Sequence, residues 1–128
     1  MSAPRSLVLG GSAFIGRQLV MHLLAEGHEV TVLNRGASPA PDGVQQLVAD
    51  RKDDASMRRA LAGRHFDMVF DVSASVMVAS LDSIATLVEM LDGHCGVYVF
   101  VSSIGAYRMG NGAFPWTETL PTTHAPAT

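Results

Sequence analysis

Seven residues near the N-terminus, Gly10-Gly11-Ser12-Ala13-Phe14-Ile15-Gly16, have the types and spacing needed to hold a pyrophosphate. A pyrophosphate is anionic and needs donors that approach closely. Gly10 and Gly11 let the backbone turn sharply without a Cβ clash. The N–H groups of the first helical turn, around Phe14 to Gly16, then point at the phosphates, and the helix dipole adds favourable potential there. Gly16 also allows tight packing of that helix on its strand. About 20 residues further on, the spacing puts Asn34-Arg35 where the adenosine ribose would lie. An acid there would bond a ribose 2′-hydroxyl and repel a 2′-phosphate. Asn34 carries no charge, and Arg35 can pair with a phosphate, so the expected cofactor is NADP rather than NAD.

The elements around these residues follow the order the chemistry requires. An apolar strand through Leu7-Val8-Leu9 enters the glycine turn, a helix runs from Arg17 to Glu26, and a second strand, Glu29 to Leu33, ends at Asn34. This is a βαβ unit. A polar Pro/Gly loop, Arg35 to Gly43, leads to a third strand at Val44 to Ala49. Asp53 or Asp54 caps a helix through Met57 and Leu61 that stops at Gly63. Phe66 to Val72 is the fourth strand. A longer helix is expected over about Val76 to Leu91, with Leu81, Ile84, Leu87, Val88 and Leu91 at helical spacing. Gly96 to Val101 is the fifth strand, and its unbroken apolar run marks a buried parallel strand. Strands alternating with helices predict an α/β fold, a Rossmann-type doubly wound parallel sheet of order 3-2-1-4-5. One domain covers residues 1–128, with an ordered core at about 5–107 and loop beyond.

Composition narrows the function further. The chain has 128 residues, is 48% hydrophobic and carries a net charge of −3, so it can bury a core. Its basic residues are scattered, which gives no face for nucleic acid. No apolar run has the length of a membrane span, and Met1-Ser2-Ala3-Pro4-Arg5 leads straight into a strand, unlike a signal peptide. The single cysteine, Cys95, fits a reducing cytoplasm. His22, His28, His65, His94 and His124 lack metal-ligand spacing, so no metal is expected. Asp67 and Asp71 share a strand face but do not read as an acid/base pair.

Four further segments carry a family resemblance. Leu33-Asn34-Arg35-Gly36, Asp50-Arg51-Lys52-Asp53, Asp71-Val72-Ser73-Ala74 and Val99 to Tyr107, together with the glycine turn, resemble an extended or atypical short-chain dehydrogenase/reductase of the NAD-dependent epimerase/dehydratase type. The atypical branch that includes chloroplast stem-loop RNA-binding proteins is similar in wording. The resemblance implies that Gly10, Phe14, Ile15 and Gly16 hold the pyrophosphate, with Gly11 and Ser12 completing the turn. It puts Asp50 and Arg51 at the adenine, and Val72, Ser73, Ala74 and Val101 on the ribose and nicotinamide side. Ser103 would be the catalytic serine that hydrogen-bonds a substrate oxygen. The implied activity is that of an oxidoreductase, epimerase or dehydratase acting on a nucleotide-sugar or similar hydroxyl-bearing substrate. A non-catalytic dinucleotide-binding regulator or scaffold is the alternative.

The sequence departs from the family pattern at three points. Ala13 replaces the middle glycine, Asn34 replaces an acid, and no Tyr-x-x-x-Lys is present. Position +4 from Tyr98 is Ser102, position +4 from Tyr107 is Asn111, and Lys52 is the only lysine. Phe114-Pro115-Trp116-Thr117-Glu118 resembles the segment preceding that tyrosine. The expectation is the N-terminal half of a longer reductase-like protein, inactive alone. It should self-associate through the edge of its fifth strand, Val97 to Val101, and the helix before it.

Overall fold

The computed structural model describes residues 2–12, 14–74, 79–102 and 117–119. Eight elements alternate along the chain: β1 Arg5–Leu9, α1 Phe14–Ala25, β2 Glu29–Asn34, β3 Gln45–Val48, α2 Asp54–Leu61, β4 Phe66–Asp71, α3 Leu81–Leu91 and β5 Cys95–Phe100. The strands form one sheet of order β3-β2-β1-β4-β5, and every pairing is parallel. The expected Rossmann-type architecture is therefore present.

Sheet alternation sorts the core into two layers. Leu7 and Leu9 of β1 face α2 and α3 with Leu33, Met57, Leu61, Val69, Leu87 and Leu91. Val8 faces the other way, toward Val20 and Leu23 of α1 and Val30 and Val32 of β2. Both faces of β1 are covered, which is why Leu7-Val8-Leu9 reads as an unbroken apolar run.

Three elements differ from expectation. The third helix begins at Leu81, not near Val76. Ser80 is its N-cap, with its side chain accepting from the Ser83 N–H while the Ser83 hydroxyl accepts from the Ser80 N–H. This reciprocal pair ends the helix N-terminally whatever apolar residues precede it; Val76 to Val78 lie outside the described residues. The fifth strand is the outer strand of the sheet among the described residues. Val97 is 51% exposed and Phe100 43%, so its apolar run does not signal burial on both faces. The first helix starts at Phe14 rather than Arg17, which brings the end of the glycine motif into the helix itself.

Candidate functional site

The glycine turn sits at the carboxyl end of β1, the centre of the sheet. Gly10 has φ +93°, and a Cβ there would lie 2.5 Å from the Ser73 Cβ. A Cβ on Gly16 would run into the Gly10 carbonyl oxygen, and one on Gly11 would meet Val32 at 2.7 Å. Turn, helix and strand therefore approach as closely as backbone allows. Ala13 lies outside the described residues. Phe14 follows it with φ +48°, a conformation that L side chains rarely adopt. It is 91% exposed and Ile15 67%. Both border an open groove along α1 rather than the cavity beneath the turn.

That cavity, about 170 Å³, is lined by Gly10, Asn34, Arg35, Ala49, Arg51 and Ser73 among others. It gathers five of the residues singled out from sequence, contributed by the ends of β1, β2, β3 and β4. Asn34, the last residue of β2, makes four side-chain hydrogen bonds. Its amide nitrogen donates to the Ser12 hydroxyl at 2.7 Å and to the Ser38 carbonyl at 3.1 Å. Its amide oxygen accepts from the Gly36 N–H and from Gln46 Nε2, both at 2.8 Å. Arg35 is exposed beside it. Asp50 is also exposed; its carboxylate accepts from the Lys52 N–H at 2.9 Å. Val72 and Ala74 are half-buried after β4, and Val101 is exposed after β5. Ser103 lies outside the described residues, as do Tyr107 and the Phe114–Trp116 segment.

Arg51 occupies a place that its spacing did not announce. Its guanidinium grips Asp71 by two parallel bonds, Nη1 to Oδ1 at 2.6 Å and Nη2 to Oδ2 at 2.8 Å, and Nη1 also donates to Ser73 Oγ at 3.1 Å. The two side chains are 4% and 0% exposed. Tyr98 Oη donates to Asp71 Oδ2 at 2.6 Å. Burial pushes the Tyr98 phenol up, its hydrogen bond to Asp71 adds to this, and Arg51 opposes it. Arg51 follows β3 and Asp71 ends β4, so this pair joins the start of the β3–β4 connection to its destination. An open parallel sheet binds ligands where its strand order reverses, here between β1 and β4. An acid closing an apolar strand, Phe66 to Asp71, is a signal of such a pair, because a buried carboxylate needs a counter-charge. The sequence does not say which arginine supplies it.

The arrangement fits a dinucleotide. Close backbone approach at Gly10 to Gly16 and the N–H groups opening α1 suit a pyrophosphate, and Arg35 stands at the rim. Residues 6–127 match the NAD dependent epimerase/dehydratase family. The chain belongs to that family. Among its relatives, the chloroplast stem-loop binding protein of 41 kDa b of Arabidopsis thaliana is 29% identical over 121 residues, 83% of this chain and 31% of that protein. A UDP-galactose 4-epimerase structure superposes with a TM-score of 0.74 at 26% identity, covering 92% of this chain and 44% of the enzyme. The WbmG enzyme of Bordetella bronchiseptica, solved with NAD and UDP, has a TM-score of 0.77 at 20% identity, with 94% and 44% covered, and so shares the fold. The chain thus spans less than half of each of these family relatives. Among the described residues, no helix is long and apolar enough to cross a membrane, and no group of three or more His, Cys, Asp or Glu side chains is placed to hold a metal ion.

Proposed function

We propose that this chain is the cofactor-binding part of an NADP-preferring epimerase, dehydratase or reductase acting on a nucleotide-sugar or similar hydroxyl-bearing substrate. The observation that carries the reading is the cavity that joins the Gly10 turn to Arg35 without a carboxylate at the end of β2. In this reading the Gly10–Gly16 motif at the cavity edge holds the pyrophosphate, Arg35 pairs with the ribose 2′-phosphate, Asp50 and Arg51 lie on the adenosine side, and Asn34 ends the strand that presents Arg35. Val72, Ser73, Ala74 and Val101 line the way toward the nicotinamide. The cofactor supplies the hydride acceptor or donor. Ser103, by its place in the family motif, hydrogen-bonds the substrate oxygen.

Calorimetric titration of the chain with NADP and with NAD tests this. Tighter NADP binding is expected, with the preference lost in Arg35→Ala. Paired charge-assisted bonds of this kind are worth about tenfold or more in affinity. A preference for NAD that Arg35→Ala leaves unaltered would overturn it.

A second reading, a non-catalytic dinucleotide-binding module that works without the family's Tyr-x-x-x-Lys pair, draws on the likeness to a relative named a stem-loop binding protein. That pair supplies the acid/base proton transfer in the resembled enzymes. Dinucleotide binding without substrate-dependent hydride transfer, in any protein carrying this segment, supports the module. Self-association through the β5 edge is a further part of the proposal; light scattering showing a monodisperse monomer at high concentration would remove it.

A further inference from the structure

The four bonds of Asn34 form a hub between three segments. Ser12 belongs to the glycine turn, Ser38 and Gly36 to the β2–β3 loop, and Gln46 to β3. Gln46 Nε2 also reaches the Ser38 carbonyl at 3.3 Å. Both donors and the acceptor oxygen of the amide are therefore occupied by protein. Donors that end on Ser12 and Ser38 are not directed at a ribose.

The hub has a geometric product. Asn34 Oδ1 accepts from the N–H two residues on, which closes a tight turn with Arg35 at its middle. Gly36 completes the turn at φ +84°, where any Cβ would press on Val48 at 3.1 Å. Arg35 is thus presented from a fixed backbone at the cavity rim. The other arginine of the cavity cannot substitute for it, because the charge of Arg51 is matched by Asp71 in a buried bidentate pair.

We propose that Asn34 is a positioning residue that sets cofactor selectivity through Arg35, by the turn it ties to Ser12 and Gln46, and not by touching the cofactor. This rests on the NADP reading above. An aspartate at this position could accept from Gly36 and Gln46 but could not donate to Ser12 and Ser38. Asn34 is therefore suited to holding the loop that carries a cation, independent of its lack of charge.

The test is a double-mutant cycle read as the ratio of NADP to NAD dissociation constants, with thermal midpoints as the folding control. Asn34→Ala should lower the selectivity about fivefold, and Gln46→Ala, on an exposed β3 side chain outside the cavity lining, about twofold. In an Arg35→Ala background both substitutions should leave the ratio unchanged, because the group they position is gone. An Asn34→Ala effect that persists in full without Arg35 would mean direct contact and overturn the inference. So would wild-type selectivity in both Asn34→Ala and Gln46→Ala. If Asn34→Ala fails to fold, Gln46→Ala alone decides. A wild-type chain that binds NAD as tightly as NADP would instead remove the NADP reading, and this inference with it.

Discussion

The two ends of the sheet handle polar groups in opposite ways. At the carboxyl ends of the strands, Arg51 and Asp71 are buried, paired by two bonds and closed over by Tyr98 and Ser73. At the amino ends, Arg5 and Glu29 face each other at 4.0 Å with side chains 50% and 72% exposed. Asp67 accepts from the Arg5 N–H at the surface. An open groove of about 470 Å³ beside Arg5, Glu29 and Gln45 is larger than the cavity under the glycine turn, yet no close backbone approach borders it. Cys95 opens β5 at this end, its thiol pushed up by burial and by the nearby Asp92 charge. The difference teaches that open volume and tight polar constraint are separate things: buried charge needs every partner in place, because water cannot substitute for a missing partner there.

The comparison breaks most visibly at Asp71. Asp71→Ala leaves the Arg51 guanidinium buried without its counter-charge, and should cost about 3–5 kcal/mol in denaturant unfolding. A loss under 1 kcal/mol would show that the pair opens to water. Next is Gly16→Glu, which puts a side chain into the Gly10 carbonyl and a negative charge at the phosphates. Dinucleotide affinity should fall about a hundredfold, near 2.7 kcal/mol; unchanged calorimetric affinity would move the site elsewhere.

Tyr98→Phe deletes one bond to Asp71 and should cost about 1 kcal/mol at neutral pH. It also has a pH signature. The folded protein holds the phenol above its ordinary value, so the stabilisation is complete below about pH 10, where the unfolded phenol begins to ionise. It fades as the pH rises from there toward the higher folded value. The wild type should lose its advantage over Tyr98→Phe in that alkaline range, and parallel stability curves above pH 10 would contradict the assignment. The smallest effect belongs to the other end: Glu29→Gln should change stability by under about 0.5 kcal/mol, and less in high salt. An effect rivalling that of Asp71→Ala would erase the contrast altogether.

Most of the frame was legible because it is written in local signals. Period-2 and period-3.6 patterning, Asp53 as an N-cap and glycines at helix ends all act within a few residues, and they predict the strand order through general rules of handedness. The glycine turn was legible for the same reason. The start of α3 was not, since Leu81, at 85% exposure, continues an apolar spacing while Ser80 and Ser83 make a capping box without the usual Glu or Gln. The Arg51–Asp71 pair and the Asn34 hub were missed because their bonds to Asp71, Ser12 and Gln46 span 12 to 22 positions. The family resemblance placed Arg51 near the adenine, and spacing placed Asn34 at the ribose. Neither could show that both side chains are already engaged by protein.

The central position of β1 has a consequence for the chain as it is made. β1 pairs with β2 on one side, Ser6 against Val30, and with β4 on the other, Ser6 against Met68. At a synthesis rate of about 5–20 residues per second, the second partner emerges roughly 3–12 s after the first strand. During that interval the apolar ribbon Leu7-Val8-Leu9, fully buried in the finished fold, has one edge with no strand to meet it. Of the five strands, the one that enters the glycine turn is thus made first and waits longest for a neighbour. The growing chain is most exposed to chaperone capture, or to pairing with a neighbour, at the centre of its future sheet.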